Sequence, residues 1–414
     1  MKDTVLRYAE KAEKVLQDRF AEIDRISQFN TAKVLDAFQR QRVTDATLCG
    51  STGYGYNDRA REALEAVYAE VFGGEDALVR HTFVNGTHTI ATAFAAILRP
   101  GDTMLSVTGA PYDTLLESIG VCGEKGRGSL TDYNIRYRQV ELLPDGTFDF
   151  PAIRSILRTD PTIRVIFLQR SRGYTQRKAL TLTQIDELCR EIRKDSDAVI
   201  LADNCYGEFV CREEPLAHGV DLIAGSLIKN PGGGLAQAGG YIAGRKDLIE
   251  LCANRLTTVG IGKECGATLD QPRRMFQGFF MAPHTVAQAM KTAYFAAQML
   301  QYAGFEPDPL PTEAREDIIG TVVFRNPEKL LAFMRGIQNA SPVDSFVTPE
   351  PCVTPGYQDA VVMAAGTFVQ GASIELSADA PMREPYRAYF QGGLTYEAGK
   401  LAIMRTVEGL LHEE

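Results

Sequence analysis

Asp221-Leu-Ile-Ala-Gly-Ser-Leu-Ile-Lys-Asn-Pro-Gly-Gly-Gly234 joins an apolar run to a single lysine and a glycine-rich loop. Leu222 to Ala224 reads as a short buried strand. It ends in Gly225-Ser226, and Lys229 stands immediately before the loop. A lysine there cannot sit easily on an exposed helix face. Its amine is held near the end of a core strand, with glycines giving close backbone access. Two readings stand: an ordinary solvated lysine after a strand, or a partly desolvated, nucleophilic amine of the kind that forms Schiff bases.

Upstream, Ser196-Asp-Ala-Val-Ile-Leu-Ala-Asp-Asn-Cys-Tyr-Gly-Glu208 contains a second buried strand, Ala198 to Ala202, ending in Asp203. A carboxylate at the end of an apolar strand is costly unless it meets a cation or donors. Asp203 is either a helix-capping or loop aspartate, or the acidic partner of a pyridinium nitrogen, keeping pyridoxal phosphate (PLP) protonated as an electron sink. Tyr206 follows and is placed to donate to that cofactor's phenolic oxygen. Asp203 and Lys229 lie 26 residues apart on successive strands, and the pair is more specific than either member. Ser226-Leu-Ile-Lys229 also fits S-x-x-K, the nucleophile motif of penicillin-recognising enzymes. That hydrolase reading lacks Ser-Asp-Asn and Lys-Thr-Gly partners. Its motif also opens a helix, whereas Pro231 and glycines follow here.

Further motifs lie outward from this pair. Asn85-Gly-Thr-His88 opens a helix, Thr89 to Leu98. Gly86 and Thr87 either offer first-turn N–H groups to an anion or form an ordinary helix cap. Gly109-Ala-Pro-Tyr-Asp-Thr114 sets Tyr112 after a strand, Asp102 to Val107, where it could equally be a turn residue. Ser51-Thr-Gly-Tyr-Gly-Tyr56 is a tyrosine-and-glycine loop before the helix Arg59 to Phe72. Gln169-Arg-Ser-Arg-Gly-Tyr174 ends another buried strand, its arginines facing an anionic substrate or structural carboxylates.

With Ser226-Leu-Ile-Lys-Asn-Pro-Gly-Gly-Gly234 and Ser373-Ile-Glu-Leu-Ser-Ala-Asp-Ala-Pro381, these pieces run in order along nearly the whole chain. Together they resemble the fold-type I PLP enzymes, in the branch called aluminium-resistance or methionine gamma-lyase-like proteins, related to cystathionine beta-lyases. The resemblance implies an α/β fold with a mostly parallel sheet sandwiched by helices and a smaller C-terminal α/β domain. It implies PLP held covalently by Lys229, with Asp203 on the ring nitrogen, Tyr112 stacked on the ring, Tyr206 on its phenolic oxygen, and Gly86, Thr87 and Ser226 on its phosphate. Tyr54 and Tyr56 would reach the neighbouring subunit's phosphate, making a homodimer or homotetramer with shared sites. Amino-acid substrates need an arginine fork for the α-carboxylate; Arg383 is the candidate, with Arg387 behind it. The implied reaction is carbon–sulfur elimination giving thiol, ammonia and a keto acid. An aminotransferase and a regulator without turnover are the alternatives.

Lys and Arg number 44 and Asp and Glu 53, a net charge of −9 that argues against nucleic acid or anionic membrane as partner. The N-terminus lacks the apolar core of a secretory signal. Eight cysteines and five histidines show no metal-binding or disulfide spacing. A cytoplasmic enzyme with reduced thiols and no metal is the expectation. Residues 1–50 read as an N-terminal helical segment containing two helices, Asp3 to Arg25 and Thr31 to Arg42. Residues 51–304 read as the large PLP-binding domain, and 305–414 as the small domain. The proline-rich Pro307-Asp-Pro-Leu-Pro311 marks the last boundary.

Overall fold

The computed structural model describes residues 1–353 and 359–411. The chain begins with one helix, α1 (Asp3–Arg40), then α2 (Arg59–Phe72), β1 (Asp76–Arg80), α3 (Gly86–Ile97), β2 (Thr103–Ser106) and α4 (Asp113–Ile119). Next come β3 (Arg136–Gln139), α5 (Phe150–Thr159), β4 (Ile163–Gln169), α6 (Leu182–Ile192), β5 (Val199–Asp203) and β6 (Leu222–Ser226). β7 (Gly240–Gly244), α7 (Lys246–Leu256) and the long α8 (Pro272–Tyr302) complete the first layer set. Beyond them lie β8 (Glu306–Asp308), β9 (Gly320–Val323), α9 (Pro327–Asn339), β10 (Val361–Ala364), β11 (Ser377–Pro381), β12 (Arg387–Gln391) and α10 (Tyr396–Leu410).

The large sheet runs β1-β7-β6-β5-β4-β2-β3. β7 is antiparallel to both neighbours, while the β6-β5-β4-β2-β3 pairs are parallel. Parallel strands need helical crossovers, so both faces are covered and the strands read as continuous apolar runs. β2, β5, β6 and β7 are buried along their whole length. The second sheet, β10-β11-β12-β9-β8, is antiparallel throughout.

Two expectations change. Residues 3–40 form a single helix where two were expected. Nothing between Arg25 and Thr31 is a glycine or proline, and the polar Asn30 is a buried anchor rather than a break. Its amide donates to the Phe209 and Cys211 carbonyls at 3.2 and 2.8 Å. The sequence also predicts a long helix from Thr285 to Tyr302, but that helix begins at Pro272 and carries Pro283 inside it. Twenty-one of its residues are buried, so packing outweighs the roughly 3 kcal/mol propensity cost of an interior proline.

Candidate active site

Three parallel strands end side by side. The register sets Gln169 of β4 opposite Asp203 of β5, and Asp203 opposite Ala224 of β6. Two residues past Ala224 comes Ser226, and three further on Lys229. Ligands of open α/β sheets bind beyond such carboxyl ends. Here they open into a cavity of about 300 Å³, whose lining includes Gly86, Thr87, Tyr112, Gln169, Asp203, Tyr206, Ser226 and Lys229. Seven of the residues read from the sequence, from positions 86 to 229, thus converge with Gln169 on one space.

Lys229 places its amine 4.0 Å from the centre of the Tyr206 ring. Tyr206 holds a left-handed backbone, φ 72°, a conformation that costs a bulky residue energy and marks over-determined sites. Its hydroxyl is 3.1 Å from Ser373 Oγ. Burial pushes the Asp203 carboxyl up, against the charge of Lys229 and the Cys205 N–H that donates to Asp203 Oδ1 at 3.0 Å. Burial pulls the Lys229 ammonium down, but the acidic groups Cys205, Tyr206 and Asp203 outweigh it and raise its pKa. Burial raises the Cys205 thiol and the Tyr206 hydroxyl themselves, and the charge of Lys229 opposes the rise in both.

The helix α3 starts at the floor of this cavity. Asn85 caps it, its Oδ1 accepting from the His88 N–H at 2.9 Å. The first-turn N–H groups of Gly86 and Thr87 have no intrahelical acceptor. A Cβ on Gly86 would stand 3.3 Å from Ser226 Cβ and 3.6 Å from Cys205 Sγ, so a side chain there would crowd the strand end. The Thr87 hydroxyl is engaged with Thr114 Oγ1 at 2.6 Å. His88 turns away: its Nδ1 accepts from the Val84 N–H at 3.1 Å. Ser226 Oγ, Gln169 Oε1 and Ser171 Oγ are buried and lack a protein partner. Such atoms at a cavity wall are a receptor's signature, since an unsatisfied buried polar group is otherwise a net cost.

Not every expected residue meets there. Tyr54 and Tyr56 lie outside the cavity, 76 % and 59 % exposed, with their rings stacked at 5.8 Å. Their loop is nonetheless fixed. Arg61, buried, donates to the carbonyls of Gly55 and Gly266 at 2.6 and 2.9 Å. Gly55 has φ 64°, and a Cβ on it would lie 2.6 Å from the Ala267 nitrogen. Arg383 does not line the cavity either: it is half exposed, and its Nη1 donates to Asp359 at 2.7 Å. It sits in the turn after β11, where a motif-based choice had no means of aiming it. Arg387 lies two and four residues before Tyr389 and Gln391, on the same face of β12. Its Nη1 donates to Thr321 Oγ1 at 2.9 Å, and its Nε is buried without a partner. Arg170 and Arg172 serve structural carboxylates, Arg172 at 2.6 Å from Asp308 and Arg170 at 3.5 Å from both Glu214 and Glu316.

The second sheet and the segment before β11 supply a wall to which the sequence reading gave no role: Met363, Ser373, Ser377, Asp379 and Gln391. The available signal was the polar alternation Ser377-Ala-Asp379, which puts both side chains on one face of a strand.

Comparison with known proteins bears on the family and the fold. The family model described as methionine gamma-lyase matches residues 5–411. The uncharacterized protein YnbB of Bacillus subtilis is 48 % identical over 394 residues, covering 95 % of this chain and 93 % of its own. A carbon-sulfur lyase involved in aluminum resistance from Clostridium novyi is 48 % identical with TM-score 0.94, over 98 % of this chain and 96 % of that one. The pyridoxal-5'-phosphate dependent protein YhfS of Escherichia coli shares the fold alone, at 16 % identity and TM-score 0.63, over 95 % of this chain and 97 % of its own.

Proposed function

The chain belongs to the methionine gamma-lyase family, and on that premise we propose that it is a PLP-dependent carbon–sulfur lyase acting on a sulfur amino acid. Its sheets and helices have the fold-type I arrangement. The observation that carries the reading is the cavity at the ends of β4, β5 and β6, where Lys229 and Asp203 meet buried polar atoms that lack protein partners. Those atoms fit a polar cofactor. Ser226 Oγ and the first-turn N–H groups of α3 suit a phosphate, Asp203 suits a protonated ring nitrogen, and the Tyr112 ring suits a flat face.

When bound, PLP supplies an aldehyde that a lysine amine can take and a ring that accepts the electron pair left on the substrate's α-carbon. Lys229 then serves twice, holding the cofactor and afterwards moving the α-proton. That second role requires a neutral amine. Burial favours neutrality, while the Asp203 charge opposes it. A cation placed against Asp203 relieves the opposition, because the carboxylate's charge is then shared elsewhere. The second sheet contributes Met363, Ser377, Asp379 and Gln391 to the wall of the same cavity. Arg387 shares Asp308 with Arg172, at 3.6 Å, and like Arg383 does not line the cavity, so no arginine is assigned to the α-carboxylate.

We place Tyr54 and Tyr56 in the site of a partner subunit. A fixed loop that holds two tyrosines outward supports this reading. So does Val84, 74 % exposed beside the cavity residues Asn85 and Gly86, since exposed apolar surface marks contact sites. Among the described residues no helix is long and apolar enough to cross a membrane.

The test is turnover of the PLP-loaded protein with cystathionine, cysteine and methionine, with and without 2-oxoglutarate. Thiol, ammonia and a keto acid should appear without the co-substrate. Amino-group transfer that requires 2-oxoglutarate and frees no thiol would replace the lyase by an aminotransferase.

A further inference from the structure

A second cavity, about 720 Å³ in volume, lies beside the segment that follows β4. No described residue lines both cavities. Gln169, Ser171 and Gly173 face the first, whereas Arg172, Thr175 and Arg177 face the second. Arg315 and Asp317, from the stretch between β8 and β9, complete its inner wall.

Arg172 and Arg315 are buried and Arg177 is half-buried. Arg172 Nη1 donates to Asp308 at 2.6 Å, but its other edge, Nε with Nη2, is buried and lacks a protein partner. Such an edge is the fork that takes two oxygens of one carboxylate or phosphate group. Arg177 Nη2 donates to the carbonyls of Gln169 and Ser171, both at 2.6 Å, and Arg315 Nη1 donates to that of Ile319 at 2.8 Å. The Nε of each is again buried and unpartnered. Burial pulls both guanidiniums down, Arg177 to about 10; Arg172 adds to the effect and Asp317 opposes it. All three are still cations at neutral pH. Asp308 is already shared between Arg172 and Arg387. The other carboxylates of the wall are engaged as well: Glu316 lies 3.5 Å from Arg170, Asp145 accepts from the Thr147 hydroxyl at 2.6 Å, and Glu141 accepts from Gln139 at 2.6 Å.

Like charges gathered on one wall, with donors left over, are costly unless an anion joins them. We propose that this cavity is a second binding site, for a small oxyanion whose carboxylate or phosphate group sits on the free Arg172 fork and is reached by Arg177 and Arg315. The site is separate from the reacting space and does not rest on the lyase reading.

The test titrates inorganic phosphate and succinate, one for each source of oxyanion, into the full chain by calorimetry in low-salt buffer. PLP is first fixed by borohydride, which keeps phosphate out of the first cavity. One or both probes should bind at one per chain with a Kd below about 1 mM, and the tighter one identifies the source. Arg172→Lys keeps the charge but loses the fork, and should weaken binding roughly 10-fold or more. Gln176 is exposed and lines the same cavity, so its variants leave the buried wall intact. Gln176→Glu should weaken binding and Gln176→Lys strengthen it, each by about 3-fold. If the chain takes up no PLP, the lyase reading fails, and the same variants judge the second site on the unloaded protein. No binding of either probe up to about 10 mM would overturn the inference. So would binding that none of the three variants alters, since the anion would then sit elsewhere.

Discussion

At the scale of single residues, the account turns on where charge is left buried. Asp203 ends an apolar strand, and burial alone would have it protonated; Lys229 and the Cys205 N–H argue the other way. Replacing it with asparagine keeps the shape and removes the charge that would hold a ring nitrogen protonated. Asp203→Asn should therefore fold, by circular dichroism, yet lose about 100-fold or more in kcat, the scale of losing one preorganised electrostatic group. Near-normal turnover would remove Asp203 from its role. Glu208 is a different case. Tyr241 donates to its Oε1 at 2.8 Å, Oε2 has no partner, and burial pushes its pKa up to about 8 from an ordinary 4.5. A carboxyl raised on folding contributes stability that is fully present below its unfolded pKa and is lost as pH rises through the folded value. Glu208→Gln keeps an acceptor for Tyr241 without the titration. The melting temperature of the variant relative to wild type should thus climb between pH 5 and pH 9, by roughly 2 °C or more. A difference that stays flat with pH would show that Glu208 does not titrate in that window.

At the scale of elements, what was legible was whatever a strand end or helix start announces locally. Lys229, Asp203 and Ser226 follow apolar runs, and Gly86-Thr87 opens a helix, so their convergence follows from parallel strands sharing one end. The second-sheet wall was not legible in the same way, because β10, β11 and β12 are short and reach the cavity across more than a hundred residues of chain. Asn30 and Pro283 both lie inside long helices, since tertiary packing overrides local preference. The Tyr54–Tyr56 loop is the element whose role depends on a second copy of the chain. Chains carrying Tyr54→Phe with Tyr56→Phe, and chains carrying Lys229→Ala, should each be nearly inactive alone. Mixed and re-associated, they should recover part of the activity, because one site of a mixed dimer combines both intact halves. No recovery in verified mixed dimers would put the tyrosines outside the partner's site.

At the scale of the whole molecule, two sheets of different kind face each other across the reacting space. The parallel sheet brings Lys229, Asp203 and Ser226 to one edge, and the antiparallel sheet brings Asp379 and Gln391 opposite them. All of it depends on the cavity being the place where the cofactor is bound, and one measurement tests that most directly. The PLP-loaded protein is reduced with borohydride, digested, and mapped by mass spectrometry. The account predicts the reduced cofactor on Lys229 and its absence from a Lys229→Ala protein. Cofactor fixed to Lys178, Lys246 or Lys263 with Lys229 unmodified would contradict it.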